Sequence, residues 1–154
     1  MEPKTVLERG EYSCVVARGG VIVDARRGIG VKPILSIYDR HPEDLMGASV
    51  ADRVIGKAAA MLLVLGGAAE IYGAVMSESA IEFLSARGVP HRFGERVPRI
   101  ENRTRDGICP IEQSVLGTDD LEEGLKSIRG TIQKLMRSKN VIVTQNGKNI
   151  YPEE

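Results

Sequence analysis

The stretch "VADRVIGKAAAMLLVLGG" (50–67) constrains the fold more than any other part of the chain. Ser49 and Asp52 stand three apart at its start, a capping-box variant with Asp in place of Glu, and Gly66-Gly67 closes it. The spacing predicts a helix over 50–65. Val54, Ile55, Ala58, Ala59, Leu62 and Leu65 cover more than one stripe of that helix. A helix apolar on most sides has to be packed on most sides, so this one is central. It is too short to cross a bilayer, and it is broken by glycines with Lys57 close by.

The flanking segments supply the layers. Residues 11–26, "EYSCVVARGGVIVDAR", are two β-branched runs split by Gly19-Gly20, a hairpin signal. "RGIGVKP" reads as a glycine-rich loop and "ILSIYDR" as a short helix or an extended connector. "EIYGAVM" (70–76) is a strand, Ser77 caps a helix over 78–87, and 89–97 is a further strand with a bulge expected at Gly94. A polar connector, 98–108, leads to a short helix from Pro110. From Asp119, Leu121, Leu125, Ile128, Ile132 and Leu135 form one apolar stripe on a charged helix, and "VIVTQNGKNIY" signals a terminal hairpin around Asn146-Gly147. Strand–helix–strand alternation implies parallel pairs with right-handed crossovers, hence an α/β fold with a mixed sheet covered by helices.

With 154 residues and 42% hydrophobic content, the chain can bury one substantial core without staples. Lys plus Arg equal Asp plus Glu at 21 each, and aromatics are 4%, so neither a basic field nor stacking platforms favour nucleic acid or an anionic membrane. Cys14 and Cys109 are too few for a disulfide scaffold, and "MEPKTVLERGEY" has no signal-peptide pattern, so a reducing cytoplasm is expected.

At "ASVADRVIGKAAAML" the chain resembles the cytidine deaminases. That family sets a His/Cys-Ala-Glu-Arg segment at the start of the central helix, its first residue binding zinc and its Glu shuttling protons. The matching residues are Val50, Ala51, Asp52 and Arg53. The family's Pro-Cys-x-x-Cys opens the helix after the next strand; here "SESAIE" puts Ser79 and Glu82 in place of the thiolates. The whole chain is more closely similar to a prokaryotic family of unknown function with a deaminase-like fold and no zinc ligands, in which "NRT-x-DG-x-CP-x-E", here Asn102 to Glu112, stands out. The resemblance implies a cytidine deaminase-like three-layer sandwich over 1–118, with 119–154 a C-terminal amphipathic helix and β-hairpin packed on the same domain. A deaminase zinc needs three His or Cys ligands; Val50 cannot ligate, Ser79 is a poor ligand, and His41, His91, Cys14 and Cys109 lack metal spacing. The expectation is a protein with neither metal nor cofactor.

Two catalytic candidates follow. In "CPIE", Cys109 takes the N-cap, Pro110 the first helical position and Glu112 the third, from where its carboxylate can accept the N–H of the cap residue. A thiol at a helix start beside Arg103 and Arg105 is a candidate nucleophile or redox group, and the other reading is a small residue in a capped turn. Asp52 is either an acid/base group at a pocket or the cap paired with Ser49. Asn102, Arg103, Thr104, Asp106, Glu112 and Lys57 are the candidate ligand-binding residues, suited to a phosphate or carboxylate, although Lys57 also fits a snorkelling surface lysine. The expected function is a metal-free domain binding a small, nucleotide-like or anionic metabolite, with Cys109 as possible nucleophile. The alternatives are a non-catalytic binding module and an interaction module whose partner is a second copy of the chain.

Overall fold

Gly19 and Gly20 adopt φ of 57° and 79°, the left-handed geometry that a tight turn requires, and join β1 (Cys14–Arg18) to β2 (Val21–Arg26). The computed structural model describes residues 2–102 and 104–146, with side chains as far as residue 137. On its other edge β1 pairs antiparallel with β3 (Ser49–Ile55), after which β4 (Glu70–Ser77) and β5 (His91–Val97) add in parallel. The five-stranded mixed sheet has the order β2-β1-β3-β4-β5.

Alternation along the strands divides the core. Cys14, Val16 and Val50 face the larger cluster, together with α2 (Lys32–Arg40), α3 (Lys57–Leu65) and α4 (Glu78–Ala86). Val15 and Ala51 face the opposite side, covered by Leu7 of the short helix α1 (Pro3–Glu8). Outside α3 lie α5 (Pro110–Val115) and α6 (Leu121–Asn146), which bring Val115 and Ile128 into the larger cluster. The stripe expected on α6 is the packed face: Leu121, Leu125 and Ile132 flank Ile128 against that core. α3 is thus held between the sheet and α5–α6, and residues 57–63 are all buried.

Three sequence expectations are corrected. Residues 50–55 are not the first turns of the central helix but strand β3; the helix begins at Lys57, after Gly56. Val50, Ala51 and Asp52 are buried in succession while Arg53 and Val54 are exposed, so the strand lacks the two-residue period that would separate it from a helix. Gly94 makes no bulge, since the β4–β5 register is unbroken; a Cβ there would come within 2.8 Å of the Ala74 carbonyl oxygen. In the tail, 141–146 continue α6 as helix, because propagation along an established helix outweighs the weak strand preference of Val141, Ile142 and Val143. The turn and second arm of the expected hairpin, 147–151, lie outside the described residues. Among the described residues no helix is long and apolar enough to cross a membrane.

Ile128 is fully buried on the outer layer, so Ile128→Ala should cost about 2–5 kcal/mol. Denaturant unfolding checks this; a loss below about 1 kcal/mol would mean that α6 does not share the core.

Candidate functional site

The first amides of an α-helix have no partner within the helix, and at α3 they cannot be left to water because the helix is buried. Its N-cap is Gly56, which has no side chain to offer. The partner comes from α5: the Glu112 carboxylate accepts the N–H of Lys57 and of Ala58, each at 2.8 Å. Glu112 is itself buried, and a Cβ on Gly56 would overlap its carboxylate. Burial pushes the Glu112 carboxyl up, while the two amides and the Lys57 charge pull it down. The sequence expectation that Glu112 bonds the N–H of its own cap residue is therefore corrected: the Cys109 N–H goes to the Ile100 carbonyl.

The Lys57 side chain is buried along its length and its ammonium is ion-paired. Its ammonium reaches the Asp119 carboxylate at 2.9 Å and the Leu116 carbonyl at 3.5 Å, both beyond the end of α5. Hydrogen bonding and charge from Lys57 hold the exposed Asp119 carboxyl below the usual range. Lys57 and Glu112 are thus adjacent and both engaged within the chain.

The polar connector is closed on itself. Asn102 Nδ2 donates to Asp106 Oδ1 at 2.8 Å, Thr104 Oγ1 donates to the same oxygen at 2.6 Å, and the Asp106 N–H donates to Asn102 Oδ1 at 3.2 Å. These bonds, the Thr104 one first, lower the Asp106 carboxyl pKa. Backbone pairing of Glu101 with Ile108 brackets the loop, and Arg105 takes the left-handed conformation at φ 59°. Arg103 lies outside the described residues. Cys109 is half-buried at the start of α5 and makes no side-chain cap.

Asp52 sits in mid-sheet, directly opposite Cys14 in the β1–β3 ladder. It is 5% exposed, Cys14 is fully buried, and Asp52 Oδ1 accepts the Val54 N–H at 3.0 Å. Desolvation pushes the Asp52 carboxyl up to about 7, against the hydrogen bonds from Val54 and the Cys14 thiol. Burial, then the Asp52 charge, raises the Cys14 thiol well above its ordinary value. Beside them Arg26 bonds Asp24 at 2.9 Å and Ser36 at 2.9 Å. Cys14 was the partner that sequence reasoning missed; the signal was a lone carboxylate in a buried apolar strand. Among the described residues no hydrogen bond or ion pair joins Asp52 to the 102–112 segment, and no group of three His, Cys, Asp or Glu is placed to hold a metal ion.

The chain is therefore an α/β domain with a five-stranded mixed sheet and a long C-terminal helix, whose polar segment reaches back to complete the central helix. It belongs to the DUF1893 (TM1506) family, a domain of unknown function, which matches residues 3–132. The crystal structure of a DUF1893 family protein (TM1506) from Thermotoga maritima, at 2.70 Å resolution, is similar to it with a TM-score of 0.74 and 27% identity, covering 85% of this chain and 86% of that one. No curated protein matches the sequence.

Two outcomes are expected. Glu112→Ala leaves two buried helix amides unpaired and should cost about 3 kcal/mol or more, read from denaturant unfolding; a loss under about 1 kcal/mol would mean that water replaces the carboxylate. For Asp52 the folded pKa is raised, so the folded state holds its proton while the unfolded state loses it above about pH 4. Its contribution is present below that pH, declines as pH rises to about 7, and is then gone, a change on the order of 4 kcal/mol. Asp52→Asn should flatten this part of the stability–pH curve, and parallel curves for the two proteins would rule out a buried neutral carboxyl.

Proposed function

We propose that the domain is a metal-free binding module on a cytidine deaminase-like scaffold, taking a small anionic metabolite. Support for the scaffold comes from the element order: a hairpin, then strand–helix–strand crossovers that set the starts of α3 and α4 at the carboxyl ends of β3 and β4. The residues that match the resembled family's first signature, Val50 to Arg53, lie in β3, so the starts of α3 and α4 carry other residues. Here they read Gly56-Lys57-Ala58 and Ser77-Glu78-Ser79, and Ser77 is taken up in capping α4 through the Ala80 N–H. The observation that carries the reading is Glu112: an internal carboxylate takes up the amides at the start of α3, so they are not free to act on a substrate.

A second reading, with Cys109 as nucleophile or redox group and Asp52 as acid/base, draws on one contrast: Cys109 is half-buried, whereas Cys14 has no exposed surface. Iodoacetamide labelling of the folded protein across pH should modify Cys109 and leave Cys14 untouched until unfolding. An alkaline midpoint of an ordinary thiol, about 8.5, would remove the nucleophile reading and leave binding. The binding reading is tested by a thermal-shift screen of anionic metabolites in the Cys109→Ala protein; stabilisation by none of them would sink it.

A further inference from the structure

We infer that the hollow beneath α1, at the amino ends of β3, β4 and β5, is a site for a small organic carboxylate with an apolar body. This deepens the binding-module reading by naming where and what the domain binds. The hollow holds about 240 Å³ and lies between Lys4 of α1 and Ser49, Glu70, Tyr72, His91 and Arg92 of the strands and their leads. That is less than the smaller cavities that hold drug-sized ligands, and it suits a compact molecule.

The formal charges of the lining balance, Lys4 and Arg92 against Glu2 and Glu70, but they are not evenly placed. Lys4 Nζ stands 5.0 Å from the centroid of the Tyr72 ring, and the Arg92 guanidinium 6.0 Å from the same centroid. Glu70 is engaged by the Ser49 hydroxyl at 2.7 Å, and Glu2 reaches Arg92 only at 3.8 Å between two exposed side chains, a pairing of little strength. Two cations around one half-buried ring can receive a carboxylate, with Arg92 able to do so through two parallel N–H groups. Pro3, Pro90 and the Tyr72 ring supply the apolar surface of the hollow for the rest of the molecule, since the Val50 and Ile71 side chains point to the other face of the sheet.

The test uses the full chain with benzoate, its neutral isostere benzamide and inorganic phosphate as probes, followed by thermal shift and calorimetry. Benzoate should stabilise the protein in a saturable manner while benzamide does not. In the Lys4→Gln/Arg92→Gln double variant, checked for folding by circular dichroism, the benzoate affinity should fall about tenfold or more. Stabilisation by benzamide or phosphate equal to that by benzoate overturns the ligand class. Benzoate binding that survives unchanged in the double variant overturns the location and leaves the binding-module reading standing. No response to benzoate overturns the inference too, and the metabolite screen then decides the broader reading by itself.

Discussion

The rest of the structure depends on completing the start of a buried helix. α3 lies between a sheet and a second helical layer, so its first amides can be paired neither by water nor by Gly56. Glu112 supplies both bonds, and the helix dipole favours a negative group at that position. Much of what surrounds this carboxylate reads as the means of delivering it. The connector closes through Asn102, Thr104 and Asp106, Pro110 opens α5, and one turn on Glu112 enters the interior. Lys57, next to the accepted amide, then fastens Asp119 and the lead into α6. The segment that looked too polar for a connector is in large part the attachment of the outer layer to the core.

Features governed by neighbours in sequence were legible. The Gly19-Gly20 turn, the Ser77 cap of α4 and the Pro110 start of α5 each depend on contacts within a few residues, and each lies where the sequence puts it. β3 was not legible, because the apolar pairs Val50-Ala51 and Val54-Ile55 around Asp52-Arg53 show no two-residue alternation, and Gly56 was the mark of its end. Reading Asp52 as a cap followed from that error. Its actual neighbour, Cys14, is set by the register of two strands, which no spacing along one strand contains. For the same reason Glu112 was picked out correctly as a structural carboxylate but assigned to the wrong helix: local spacing shows partners three residues away, not 54.

A sheet with helices starting at the carboxyl ends of its strands can carry many chemistries, and what it does depends on the side chains placed there. In this chain those positions hold a glycine, a lysine bound to Asp119 and a serine that caps its own helix. The buried carboxyl–thiol pair of Asp52 and Cys14 lies in the interior rather than at a rim. Burial lets Asp52 hold its proton well above the pH at which an exposed carboxyl loses it.

The reach of Glu112 also bears on how the protein is made. The sheet is complete once residue 97 has left the ribosome, yet α3 still lacks both the carboxylate for its first amides and the covering of Val115 and Ile128. A nascent chain at that stage displays an apolar helix to whatever is nearby, the kind of surface on which chaperones act. Maturation of the interior therefore waits until residues 112–128 have been made, and slowing synthesis between 97 and 128 prolongs the interval in which the core stands open.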